Sequence, residues 1–157
     1  MIVVPVRVCR GDLFESGADA LVNPCNAIGV SGAGLARWFS RRYRYEQGQY
    51  EAKARAGELP LGTILVVPAK STAHKYIVFF PTKGHWRESS HVEPIVEGLM
   101  CLRGWLLTTP AVKSIAVPAL GCGLGGLEWG PMRMRIERAL RNVRADVMLY
   151  GPYGGSA

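Results

Sequence analysis

The chain has 157 residues, 48% hydrophobic and 20% charged, a balance that suits one globular domain with its own core and excludes a disordered or fibrous chain. Nineteen Lys plus Arg against twelve Asp plus Glu leave a net charge of +7, which favours a polyanionic partner, though solubility alone accounts for the charge equally well. No apolar run is long enough to span a bilayer, and the first residues lack the basic start and cleavage site of a secretory signal.

Residues 2–8, rich in valine, predict a first strand, and the short apolar run 18–22 predicts a second that ends at Asn23-Pro24. Residues 33–44 predict a helix with Leu35, Phe39 and Tyr43 at four-residue spacing, followed by a second helix over 45–56 that Gly57 stops. Strands are expected at 62–68 and 75–80. Ser90-His91-Val92-Glu93 has the form of a capping box, opening a helix with Val92, Ile95, Val96, Leu99, Leu102 and Leu106 on one face. Residues 114–118 read as a buried strand. Pro131 suits the first turn of a helix that turns Met132, Ile136 and Leu140 inward, and residues 146–150 form the strand that closes the sheet. The domain is expected over 1–151, with 152–157 as a flexible C-terminal tail.

Continuous apolar strands between helices predict a three-layer α/β/α sandwich with a mixed, largely parallel sheet. In such sheets ligands bind at the carboxyl ends of strands. Segments 23–34, 81–90 and 118–130 leave strand ends and lead into helices, so they are expected on one rim. Four cysteines occur, Cys9, Cys25, Cys101 and Cys122, without C-x-x-C pairing or zinc spacing. They read as reduced, mostly buried thiols, which favours a cytoplasmic compartment.

The rim carries two glycine-rich loops. Gly29, Val30, Gly32, Ala33 and Gly34 precede a helix, where backbone N–H groups and the helix dipole favour an anion. Gly121, Cys122, Gly123, Leu124, Gly125 and Gly126 follow a buried strand. Together the loops can clasp a diphosphate from opposite sides. Asp12 suits either an adenine amino group or a turn cap. Asn23 and Asn26 suit either ribose hydroxyls or local turn bonding.

Gly11-Asp12-Leu13, Val22-Asn23-Pro24-Cys25-Asn26, the loop 29–34 and Val117 through Gly123 resemble the macrodomain fold, over residues 2–150. Phe80-Pro81-Thr82-Lys83-Gly84-His85-Trp86-Arg87 and Gly123 through Trp129 narrow the likeness to DarG-type macrodomains, which are DNA ADP-ribosyl glycohydrolases, relatives of the terminal ADP-ribose glycohydrolase of animals. The resemblance implies an ADP-ribose site. Asp12 would face the adenine and Leu13 would join the ADP-ribose contacts, while Tyr150, at the end of the last strand, suits either packing on the adenine or covering the sheet edge. The two loops would hold the diphosphate, Asn23 and Asn26 the distal ribose with Thr82 nearby, and Lys83 and Asn26 would be catalytic. The animal relative has an aspartate where this chain has Gly125, so the resemblance does not extend to chemistry that needs that group.

The same resemblance implies release of ADP-ribose from a base in single-stranded DNA. His85, Trp86 and Arg87 are the base-contact candidates, and Arg37, Arg41 and Arg44, spaced along one helix face, are candidates to follow the phosphate backbone. Arg135, Arg138 and Arg141 make a second basic stripe. No metal or other cofactor is expected, because the scheme relies on lysine. The expected partners are ADP-ribose, ADP-ribosylated DNA and a cognate DNA ADP-ribosyltransferase toxin, with the chain itself a monomer. DarG-type antitoxins continue into a toxin-binding region for which this chain has no room, so an excised domain or a standalone version is expected. A non-catalytic ADP-ribose-binding module and a hydrolase of ADP-ribose esters on acidic side chains are the alternatives.

Overall fold

Strand residues alternate between two faces, and in this chain both faces are apolar. Ala20, Val22, Val78, Phe80, Ile115 and Val117 point one way, whereas Leu21, Ile77, Phe79 and Ala116 point the other. A sheet of this kind has to be covered on both sides. The computed structural model, which describes residues 5–70 and 73–152, shows how.

The strands are β1 (Arg7–Cys9), β2 (Ala20–Asn26), β3 (Leu65–Pro68), β4 (Tyr76–Lys83), β5 (Ser114–Val117) and β6 (Asp146–Tyr150). They form one sheet in the order β1-β6-β5-β2-β4-β3. All neighbours pair in parallel except β3, which runs antiparallel to β4 at one edge. The helices are α1 (Gly34–Arg42), α2 (Arg44–Arg55), α3 (Val92–Thr108) and α4 (Trp129–Ala139). Leu99, Leu102, Met132 and Ile136 of α3 and α4 cover one face, and Phe39, Tyr50 and Ala54 of α1 and α2 cover the other, with Tyr43 packed beside them. The three-layer sandwich read from the sequence is therefore the observed architecture.

Several boundaries differ from the sequence reading. The first expected strand falls partly on residues 1–4, outside the described residues, and β1 runs from Arg7 to Cys9. β2 does not stop at Asn23-Pro24 but continues to Asn26. Its ladder with β5 covers only Ala20 and Leu21, so Pro24 lies where pairing continues on the β4 side alone and its missing N–H is tolerated. β3 begins at Leu65 and not at residue 62, while β4 extends three residues further than expected, to Lys83. The last strand does not close the sheet; β6 lies inside it, between β1 and β5.

The capping box is not formed. His91 is the N-cap of α3 and makes no side-chain cap bond, because Ser90 turns inward and is buried. The basic stripes are also broken. Tyr43 (φ −125°, ψ 66°) ends α1 and begins α2, so Arg44 leaves the face that carries Arg37 and Arg41. Arg141 falls beyond the end of α4. Of the four free thiols only Cys25 is buried; Cys101 is exposed, and Cys9 and Cys122 are half-buried. The expected tail falls almost wholly on residues 153–157, outside the described residues.

Candidate functional site

Five parallel strands put their carboxyl ends on one rim, so the sheet order becomes an order of site residues. Across the rim come the Asp12 turn after β1, Tyr150 at the end of β6, the loop 121–126 after β5, the loop 27–33 after β2, and Lys83 ending β4. Four interstrand steps of about 4.8 Å separate the first from the last, roughly 19 Å.

Asp12 caps a 3-10 turn at Leu13–Glu15, its Oδ1 accepting from Phe14 N at 2.9 Å. The cap reading is thus realised, and the carboxylate stays exposed at the rim. Leu13 is buried in the core beneath it. Tyr150 is half-buried against the same cluster, and burial pushes its hydroxyl pKa up.

The first loop is shaped from within by Asn26. Its Oδ1 accepts from Ile28 N, Gly29 N and Val30 N at 3.3, 3.1 and 3.2 Å, and its Nδ2 donates to Val30 O at 2.7 Å. The Tyr50 hydroxyl lies 2.9 Å from that Oδ1 and 2.8 Å from the Asn26 carbonyl. Burial pushes the Tyr50 pKa up, so it remains a donor. The Asn26 amide, expected to face a ribose, is instead turned into its own loop, because three N–H groups leaving a strand need an acceptor. Asn23 differs: it is fully buried, and neither end of its amide has a partner among the described residues.

With residues 28–30 turned inward, the N–H groups of Ser31, Gly32, Ala33 and Gly34 have no protein acceptor among the described residues. Ala33 is the N-cap of α1, so these donors stand at a helix N-terminus. In the second loop, Cys122, Gly126 and Leu127 donate to Ala119, Gly123 and Gly121, which leaves Gly123, Leu124 and Gly125 N–H without protein acceptors among the described residues. Gly29, Gly34, Gly121 and Gly126 have φ of +86°, +59°, +76° and +83°, which tight loops of this kind require. The loops meet where Leu124 approaches Gly34, and Leu124 is otherwise 71% exposed. Both loops thus leave consecutive backbone N–H groups without protein acceptors at the same rim of the sheet, an arrangement that can accept an anion.

Lys83 pairs in register with Asn26, and Ala27 N donates to its carbonyl at 3.0 Å. Its Nζ donates to Trp86 O at 3.2 Å, which places the amine beside the turn 84–88. In that turn His85 Nδ1 accepts from Arg87 N, the Arg87 guanidinium lies 4.7 Å from the Trp86 ring centroid, and Trp86 is half-exposed. Trp86 is therefore no core anchor. Thr82 is buried, with Oγ1 donating to Cys25 O at 3.4 Å, so it serves the sheet. Arg37 and Arg41 are exposed on α1, and Arg41 lies 5.6 Å from the Trp38 ring.

Three supporting residues were not legible as such. Tyr50 holds Asn26 from the core side. Gln47 donates to Ser31 Oγ at 2.9 Å. Ser90 lies under the second loop: its N donates to Gly125 O at 2.9 Å, and a Cβ on Gly125 would come within 2.2 Å of Ser90 Oγ. Only the helical spacing of Gln47, Tyr50 and Ala54 hinted at an inward face, and the capping pattern concealed Ser90.

Comparison with known proteins agrees with this fold. Residues 22–134 match the Macro domain family. A DNA ADP-ribosyl glycohydrolase of Mycobacterium tuberculosis is 38% identical over 148 residues, covering 93% of this chain and 42% of the relative. The chain thus spans less than half the length of that curated relative. The macrodomain of M. tuberculosis DarG superposes with a TM-score of 0.90 at 36% identity, over 96% of this chain and 99% of that one. The structure of Thermosipho africanus DarTG in complex with ADP-ribose superposes at 0.86 with 29% identity, over 96% of this chain and 43% of that one. With both glycine loops and the strand end that carries Lys83 inside the matched residues, the chain belongs to the Macro domain family.

Proposed function

We propose that this chain binds ADP-ribose across the rim and hydrolyses its bond to a DNA base. The observation that carries the reading is Lys83, held in register beside Asn26 on the same rim as two loops with free N–H donors. The order of parts along the rim matches the ligand. Asp12 and Tyr150 suit the adenine, the loops 29–34 and 121–126 the diphosphate, and the Asn23, Asn26 and Lys83 end the distal ribose. Asn26 acts by holding its loop, and the unpartnered Asn23 amide has the polar capacity a ribose needs.

Lys83 acts at the anomeric carbon. The glycosidic bond breaks, the departing base nitrogen takes a proton, and water supplies the hydroxyl left on the ribose. DNA is favoured over an acidic protein side chain by the relatives' names, by the net charge of +7, and by the exposed Trp86 and Arg87 next to the lysine. A base extruded from a single strand needs such a stacking surface. A cognate DNA ADP-ribosyltransferase is the partner this reading implies.

The test is to incubate the protein with ADP-ribosylated single-stranded DNA and, separately, with an ADP-ribosylated acidic peptide, and to measure free ADP-ribose. Release from DNA is expected, with Lys83→Ala lowering it by at least about a hundredfold while ADP-ribose still binds. A Lys83→Ala variant releasing ADP-ribose at the parent rate would overturn the assignment, and tight binding without release by the parent would leave only a binding module.

A further inference from the structure

The first glycine loop has two sides. One carries the free N–H donors proposed to meet the diphosphate. The other walls an open cavity of about 510 Å³ lined by residues 29–32 of the loop and by Ser40, Arg44, Gln47, Glu51 and Arg55. That volume lies within the range of roughly 300–1,000 Å³ typical of small-molecule sites. The cavity shares residues 29–32 with the proposed ADP-ribose site, but neither Lys83 nor any residue of the second loop lines it, and its other walls come from α1 and α2.

Two features give the cavity a chemical character. Its charge is cationic on balance: Arg44 has no ion-pair partner among the described residues, whereas Arg55 is bridged to Glu51 at 3.3 Å. Gln47, only 7% exposed, lines the cavity with its Oε1 buried and unpartnered. The amide orientation is settled by chemistry. Nε2 donates to Ser31 Oγ at 2.9 Å and approaches Glu51 Oε2 at 3.4 Å, and the flipped amide would set an oxygen against that carboxylate. The orphan atom is therefore an acceptor, and a buried acceptor left unpaired is costly. The cavity asks at once for an anion and for a hydrogen-bond donor. A phosphodiester by itself supplies only the first, because it carries no proton to donate. A nucleotide supplies both, through its phosphate and through the amino or imino group of its base.

We propose that this cavity holds a nucleotide of the substrate strand next to the modified one, its phosphate on Arg44 and Arg55 and its base donating to Gln47 Oε1. This deepens the proposed action on DNA and rests on it. It gives the first loop a double role, with the ADP-ribose on one side and the continuing strand on the other. The modified base is then presented from a strand anchored at a second point.

The experiment uses the whole chain, Arg44→Gln and Gln47→Met. Each is titrated with ADP-ribose, with a short unmodified single-stranded oligonucleotide and with deoxyadenosine monophosphate. Each is then assayed for release from an ADP-ribosylated nucleoside and from the same nucleoside inside an oligonucleotide. Arg44→Gln is expected to weaken oligonucleotide binding about tenfold and to reduce the salt slope by about 0.7. It should raise KM for the oligonucleotide substrate, but not for the nucleoside. Gln47→Met is expected to flatten the preference among flanking bases.

An Arg44→Gln variant with the parent's oligonucleotide affinity and salt slope would overturn the proposal, as would an equal loss of ADP-ribose affinity, which would make Arg44 a support for the loop. Mononucleotide binding as tight as oligonucleotide binding would overturn the assignment to a strand. Arg44-dependent DNA binding without any release would uphold the cavity and defeat the glycohydrolase reading. Release that is equal from both substrates and untouched by Arg44→Gln would do the reverse.

Discussion

Gly125 shows how one missing side chain can be dictated from the opposite side of a loop. Its φ is not in the left-handed region; what excludes a side chain is space, since a Cβ would meet Ser90 Oγ at 2.2 Å and Gly121 O at 2.5 Å. An aspartate here requires the loop and Ser90 to move together. Gly125→Asp is expected to cost about 1–3 kcal/mol of stability, the range for overpacking, read as a lower Tm. Adding Ser90→Gly should recover part of that loss, and a variant as stable as the parent without it would show that the loop yields freely. Asn23 makes the complementary case. Its amide is buried without a partner, so Asn23→Leu is expected to leave the unliganded Tm unchanged or higher. The same variant should bind ADP-ribose at least about tenfold more weakly, the loss of one or more hydrogen bonds. Calorimetric titration beside a melting curve separates the two effects, and unchanged affinity would remove Asn23 from the ligand site.

At the scale of elements, the site depends on how closely α3 lies on the sheet. Gly98 faces Phe80, and a Cβ there would come within 2.6 Å of Phe80 Cζ. Phe80 sits three residues before Lys83 on β4, so the helix-to-strand distance bears on where the lysine emerges. Gly98→Ala is expected to destabilise by about 1–3 kcal/mol and to lower turnover, and pairing it with Phe80→Leu should restore most of the melting temperature. Full activity in the single variant would show that the strand end is insulated from the helix. The extents of β2 and β4 belong to the same scale. Both run past the point where local pattern ends them, because each is the other's partner out to Asn26 and Lys83. No local propensity announces a pairing between residues so far apart in sequence. It is this pairing that brings a loop-shaping asparagine beside the lysine.

For the whole molecule, burial on both sheet faces has a consequence for alkaline stability. Burial pushes the Cys25 thiol and the Tyr50 hydroxyl up, and lifts Cys122 from 9.0 to about 11. Each group is favoured neutral in the folded chain. Such groups contribute nothing unfavourable below the unfolded pKa, and stability falls as pH rises through the folded value. The melting temperature is therefore expected to hold up to about pH 9 and to decline above it, with Cys122→Ala making that decline shallower while Cys25 keeps its onset in place. A melting temperature independent of pH between 8 and 11 would contradict this account of burial.

Much of this molecule is written locally. Apolar runs that leave no polar face demanded a doubly covered sheet, and glycines at strand ends marked the rim where tight loops follow, because both follow from the chemistry of neighbouring residues. Lys83 and the two loops were legible for that reason, together with the family likeness of their motifs. The inward turn of Ser90, the commitment of Asn26 to its own loop, the support from Tyr50 and the cavity behind Gly29–Gly32 were not. Each depends on what lies across from a residue in space: Gly125 above Ser90, Tyr50 of α2 against the end of β2, and Gln47 against Ser31. Sequence determined which backbone could bind an anion; tertiary contact decided which side chains shape that backbone and which remain free for a ligand.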